Sequence, residues 1–290
     1  MTETPIPLEP FGIRLGAAIG EHGPICVGID PHPSLLEQWE LPVSVRGLRR
    51  FAETAVEAFG GAVAMVKPQS AFFERFGAAG VEVLEDTLCG LRETGTLSLL
   101  DIKRGDIGST MQAYAEAYLS DDSPLRSDAI TVSPFLGFGS LAPAFDIASR
   151  TGRGVFVLAM TSNPEGASVQ HATWEGETVA GAVIDAVGER NALAAVGEFG
   201  DVGMVVGATV GKDIAALGLT ERLLDSRAPL LAPGFGAQGA TIGDIAAGFG
   251  AARRLVLPTT SRAVLAAGPD VDSLRDALRR VQDEARELTD

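Results

Sequence analysis

The sequence predicts one α/β domain folded as a single (β/α)8 TIM barrel, and three observations carry that expectation. About eight short, wholly apolar segments alternate with helix-like ones along the 290 residues, the grammar of a parallel sheet covered by helices. No stretch rich in Pro, Gly or Ser and no low-complexity tract divides the chain, so one large core is expected. Charged residues recur where the apolar runs stop, and such a barrel builds its site at the carboxyl ends of its strands.

In chain order, an amphipathic helix near residues 11–19 precedes the strand ICVGID (25–30), which ends in Asp30 and runs into the loop PHPS. A helix over 43–59 leads to the strand AVAMVKP (62–68), which carries Lys67 near its end, and a helix over 79–93 follows. The stretch LSLLDIKRGDIGST (97–110) is central: Leu97 to Leu100 read as a buried strand and Arg104-Gly105 as its break. Ser109, with Gln112 three residues on, reads as a capping box opening a helix to residue 119. Side chains alternate faces along a strand, which places Asp101 and Lys103 together and leaves Asp106 in the turn. Strands at 129–134 and 154–160 flank a helix at 140–150, and a long polar loop (161–176) follows. A helix over 177–199, strand 202–208, helix 212–224, strand 229–235, helix 241–249, strand 253–261 and an amphipathic helix over 271–288 complete the pattern. Residues 1–290 thus read as one domain with an N-terminal extension (about 1–24) and a lid (about 161–176), since long loops in compact domains are commonly lids.

Composition narrows the function. With 46% hydrophobic residues, a net charge of −15 and no basic stripe, nucleic acid and anionic membrane are excluded as partners. An anionic substrate then needs a local positive pocket. Cys26 and Cys89, one in a strand and one in a helix, read as reduced core thiols rather than a disulfide or metal framework. The acidic, proline-containing start has no apolar targeting core and no run reaches membrane-spanning length, so a cytoplasmic location is expected. His22, His32 and His171 form no ligand spacing, and no metal site is expected. His171 and Trp174 in the polar loop read equally as ligand contacts and as packing or surface residues.

An acid and a base at the exit of a buried strand are expensive unless they pair or work. Taken alone, Asp101 and Lys103 fit a structural ion pair and Asp106 a helix cap. Asp30, Lys67, Asp101, Lys103, Ser162, Gln238 and Arg262 all fall at strand carboxyl ends, however, and that convergence favours a working site. The turns PGFGAQG (233–239, with Gly236) and TTSR (259–262, with Ser261) end the last two strands. Barrel loops seven and eight commonly hold phosphate on backbone amides, and Arg262 would add a bidentate contact, so the implied ligand is a phosphorylated small molecule.

Asp-x-Lys-x-x-Asp at Asp101, Lys103 and Asp106, followed by Ile107 and Thr110, with Lys67 on the second strand and PGFGAQG before Ser261-Arg262, resembles the orotidine 5′-phosphate decarboxylase family in its longer bacterial form. The resemblance covers nearly the whole barrel. Related sugar-phosphate enzymes share Asp-x-Lys-x-x-Asp, but the magnesium-using 3-keto-gulonate-phosphate decarboxylases carry an acid where Lys67 stands. The resemblance implies metal-free decarboxylation to UMP, the last step of de novo pyrimidine synthesis, with Lys103 protonating C6 and no cofactor. Asp101 would face the substrate carboxylate, with Lys67 and Asp106 completing a charge array. Asp30, Lys67 and Thr110 would touch the ribose, Ser162 the pyrimidine, and Gln238 and Arg262 the phosphate. Asp106 and Thr110 would reach the neighbouring subunit's site, which implies a homodimer. A magnesium-dependent sugar-phosphate decarboxylase or aldolase is the other enzymatic reading, and a non-catalytic phosphate-ligand sensor a more distant one.

Overall fold

Parallel strands covered by helices on one side and packed against each other on the other have no solvent-facing side, which is why these segments are apolar throughout. In the structure, a computed structural model describing residues 8–193, 197–236 and 239–288, eight of them close into a parallel barrel. They are β1 (Cys26–Ile29), β2 (Met65–Pro68), β3 (Leu97–Arg104), β4 (Ala129–Val132), β5 (Gly154–Met160), β6 (Val202–Val206), β7 (Leu230–Pro233) and β8 (Val256–Thr260). Each strand neighbours the next in sequence, and Cys26 beside Thr259 closes β1 onto β8. The helix Phe11–His22 seals the amino-terminal end: Phe11 is buried edge-on to Phe156, ring centres 5.9 Å apart, and the N–H of Gly12 donates to Asp201 Oδ1 at 2.8 Å. The opposite end is left to the loops that carry the charged residues.

Several elements differ from the sequence expectation, each for a local reason. The helix expected over 177–199 runs only Val179–Ala192, because Thr178 caps it and Glu177–Thr178 pairs with Thr173–Trp174 in a small antiparallel hairpin. The helix expected over 212–224 is split into Gly211–Ala216 and Thr220–Asp225, with Gly218 between them at φ 65°. Residues 253–255 form part of a 3₁₀ turn, so β8 starts at Val256. The PHPS loop contains a short helix, Pro33–Gln38, in which His32 Nδ1 accepts from the N–H of Ser34. The polar loop after β5 is folded, with a 3₁₀ turn Pro164–Gly166, a helical turn Ala167–Gln170 and the hairpin. Cys26 is buried in β1, whereas Cys89 is exposed on the helix Ala78–Glu93 and is not a core thiol.

Candidate functional site

The centre of the site is made by an irregularity in β3. The strand does not stop at Leu100 but continues to Arg104, and its register against β4 slips between Leu100 and Arg104. Within that bulge Lys103 adopts φ 47°, a left-handed conformation that an L residue holds only when its surroundings impose it. Asp101 and Lys103 meet as alternation predicts, yet through a bulge rather than a regular strand: Lys103 Nζ lies 2.6 Å from Asp101 Oδ1. The other oxygen, Oδ2, accepts from Lys67 Nζ at 3.0 Å and from Gln69 Nε2 at 2.7 Å, while Thr131 Oγ1 donates to Oδ1 at 2.8 Å.

Asp101 and Lys67 are each 6% exposed, so both charges depend on their partners. Burial disfavours the Asp101 carboxylate, but Lys67, Lys103 and their hydrogen bonds outweigh it and hold its pKa well below the usual carboxylate range. Burial likewise works against the Lys67 ammonium, but Asp101 and Asp30 outweigh it and raise its pKa above the ordinary lysine value. Lys103 differs: its side chain is 46% exposed, open to the barrel mouth. Asp30 extends the array, its Oδ1 lying 4.0 Å from Lys67 Nζ. Its Oδ2 accepts from Ser261 Oγ at 2.6 Å, tying the loop after β1 to that after β8. Two buried polar atoms here, Asp30 Oδ1 and Thr260 Oγ1, make no hydrogen bond within the protein.

The glycine turn after β7 is built on left-handed backbone, Gly234 at φ 113° and Gly236 at φ 73°. The Gly236 N–H donates to the Ala240 carbonyl at 3.0 Å, so this amide, expected to grip phosphate, is already engaged. Gly236 lies against the start of the helix Arg262–Leu265, because a Cβ placed on it would stand 3.5 Å from that of Ala263. Arg262 is exposed there and forms no ion pair among the described residues. Gln238 lies outside the described residues. Ser162 sits against Gly207 after β6, its Cβ 2.9 Å from where a Gly207 Cβ would be.

The turn after β3 departs from expectation. The helix begins at Gly108, which puts Ser109 inside its first turn, so no capping box forms and Gln112 instead donates to Glu116 at 2.8 Å. Asp106 accepts from the N–H of Ile107 at 2.8 Å and has no cationic partner among the described residues; Thr110 is exposed. The fold therefore brings together Asp30, Lys67, Asp101, Lys103 and Ser261, and leaves Asp106 and Thr110 outside that cluster.

A sequence profile of the orotidine 5′-phosphate decarboxylase / HUMPS family matches residues 23–277. The orotidine 5′-phosphate decarboxylase of Salinispora tropica is 58% identical over 283 residues, covering 96% of this chain and 98% of that one. That of Streptomyces coelicolor is 54% identical over 282 residues, covering 96% and 98%. The chain belongs to the orotidine 5′-phosphate decarboxylase family. A crystal structure of the putative enzyme from Streptomyces avermitilis superposes with a TM-score of 0.93 at 53% identity, covering 100% of this chain and 99% of that one. Membership places this chain among the carboxy-lyases. Within this member of the family, sequence reasoning missed Gln69 and Thr131. Gln69 lies two residues beyond Lys67 and Thr131 is the lone hydroxyl in the apolar run AITV, so period-two alternation and an out-of-place polar residue were the available signals.

Proposed function

We propose that the chain decarboxylates orotidine 5′-phosphate to uridine 5′-phosphate, the last step of de novo UMP synthesis, in the cytoplasm and without metal or other cofactor. The observation that carries this reading is the alternating array at the barrel mouth. Lys67 Nζ lies 4.0 Å from Asp30 and 3.0 Å from Asp101, which is itself 2.6 Å from Lys103 Nζ. Losing carbon dioxide from an orotate ring leaves an electron pair in the ring plane at C6, where no electron sink reaches it. A fixed ammonium beside C6 stabilises that developing charge and then supplies the proton. The C6–carboxylate bond breaks, its electron pair stays on C6, carbon dioxide departs, and an Nζ proton of Lys103 forms the new C6–H bond. The neutral amine recovers its proton from solvent.

Asp101, held anionic by two lysines, would face the substrate carboxylate. At about 4 Å and an effective dielectric of 20, the repulsion relieved is roughly 4 kcal/mol. That is about three decades of rate, so charge stabilisation by Lys103 and binding through the remote phosphate carry the larger share. Asp30 and Lys67 serve the ribose, Ser162 the pyrimidine, and Gln238, Arg262 and Ser261 the phosphate, with Gly236 shaping the turn rather than donating its engaged amide. The loop over 161–176 acts as a lid. Asp106 and Thr110 of the partner subunit complete the site in a homodimer, a reading favoured by the exposed apolar side chains of Ile107 (61%), Phe135 (79%) and Leu136 (54%) on the turns after β3 and β4. An ammonium stands between the Asp30 and Asp101 carboxylates, in the space a divalent cation would need, which favours the metal-free reading over a magnesium-dependent one.

The test is a spectrophotometric assay of the purified chain with orotidine 5′-phosphate, with and without chelator. Turnover unaffected by chelator is expected, and Lys103→Ala should lose at least about 1,000-fold in kcat while remaining folded. Near-normal turnover in that variant overturns the mechanism.

A further inference from the structure

We infer that Thr131, on β4, is a positioning residue that holds the β3 bulge and thereby sets Lys103 against Asp101. The inference rests on the reading of Lys103 as proton donor and extends it to a residue that touches no substrate atom. Thr131 is fully buried, with no exposed surface. Its hydroxyl oxygen accepts from two consecutive backbone amides, those of Ile102 and Lys103, each at 3.0 Å. Its proton goes to Asp101 Oδ1 at 2.8 Å, the same oxygen that receives Lys103 Nζ at 2.6 Å.

In a regular parallel strand, successive N–H groups point to opposite sides and cannot meet at one acceptor. They meet here because β3 carries extra residues between its pairings Leu100 with Ile130 and Arg104 with Val132, and because Lys103 is at φ 47°. One side-chain oxygen thus replaces the missing ladder acceptors across the bulge, and the same group orients the carboxylate that the lysine meets. A valine fills the same volume but leaves a buried N–H group, that of Ile102, and a part-buried one, that of Lys103, without acceptors and removes a donor from Asp101. The bulge then relaxes, Lys103 moves from C6, and proton delivery slows, since misplacement of a reacting group by about 1 Å costs on the order of 100-fold in rate.

The experiment measures kcat, KM and thermal stability for the parent, Thr131→Val, Thr131→Ser, Thr131→Cys and Lys103→Ala. Thr131→Val should lose about 100-fold in kcat with KM changed by less than about threefold, because the ground-state contacts to ribose and phosphate remain. Thr131→Ser, which keeps the hydroxyl, should stay within about fivefold of the parent in kcat even if its melting temperature falls. A residue that merely fills the core would show the reverse, with stability tracking volume and kcat per folded molecule unchanged. Should Thr131→Val fail to fold, Thr131→Cys takes its place, since a thiol of similar size is a weak donor and acceptor and should also lose most of kcat. Folded Thr131→Val or Thr131→Cys with parental kcat, or Thr131→Ser with a 100-fold loss, overturns the inference. If Lys103→Ala loses turnover in the same series, the failure is confined to Thr131; if Lys103→Ala retains it, both readings fall.

Discussion

Asp101 concentrates the energetics of the site in one side chain. Its carboxylate is buried and serves two ammonium groups, of which Lys67 is equally buried and Lys103 is not. Replacing it by asparagine leaves Lys67 with only the more distant Asp30, and uncompensated buried charge is expensive. Asp101→Asn should lose about 3 kcal/mol of stability in urea unfolding as well as most of its turnover. The pH dependence follows from the two shifts. The depressed Asp101 pKa gives stability that is present above the unfolded value near 3.9 and is lost as pH falls through the lower folded value. The raised Lys67 pKa gives stability that is complete below the unfolded value near 10.4 and is lost as pH rises through the higher folded one. The difference between parent and variant should therefore be flat from about pH 5 to 9 and narrow at both extremes, in acid as Asp101 protonates and in alkali as Lys67 loses its proton. A gap that varies steeply across neutral pH would show that the pair is not held as described. Burial pushes the Cys26 thiol up to about 12, and Cys89 lies on an outer helix.

At the scale of elements, the turn that leaves β3 is built for close approach. A Cβ on Gly105 would stand 2.4 Å from the Ser133 carbonyl oxygen, and Ser133 donates its N–H to the Arg104 carbonyl at 2.8 Å, so this part of β4's exit cannot yield independently. Gly105→Ala should push the turn outward, cost about 1–3 kcal/mol of stability and, by displacing Asp106, lower turnover at least tenfold; urea unfolding and steady-state kinetics read the two effects separately. Unchanged kinetics would mean that the position of Asp106 does not matter to the reaction. The strands themselves were legible because burial on both faces writes a continuous apolar run, and β5 matches its expected bounds at both ends. Helix interruptions were less legible: Gly218 ends one helix only because the chain turns there, while other glycines lie quietly inside helices. The bulge at Lys103 was hidden for a similar reason. Left-handed φ at a lysine has no composition signal, since it is imposed by Thr131 from the neighbouring strand, a contact that sequence adjacency does not reveal. Asp30, Lys67 and Asp101 are legible as charges ending apolar runs, and Gln69 follows the same alternation two residues beyond Lys67.

At the scale of the whole molecule, the question is what completes the site. Asp106 has no cation beside it among the described residues, Thr110 is exposed, and apolar side chains are exposed at Ile107, next in sequence, and at Phe135 and Leu136 on the turn after β4. The helix that follows Asp106 packs on the 3₁₀ turn after Phe135 and Leu136, so the two turns share one side of the barrel. A surface of that kind fits a second copy of the chain, and a two-fold interface exchanges residues reciprocally. Each site would then take Lys103 from one subunit and Asp106 from the other. Lys103→Ala and Asp106→Ala, each poorly active alone, can be dissociated, mixed in equal amounts and reassociated. About half of the dimers are then mixed, and each mixed dimer holds one doubly altered site and one unaltered site, so roughly a quarter of all sites recover. Activity should rise well above either parent variant. If Asp106 served the Lys103 of its own chain, mixing would rebuild nothing, and activity that stays at the level of the separate variants, with subunit exchange verified by differential tagging, would exclude the shared site.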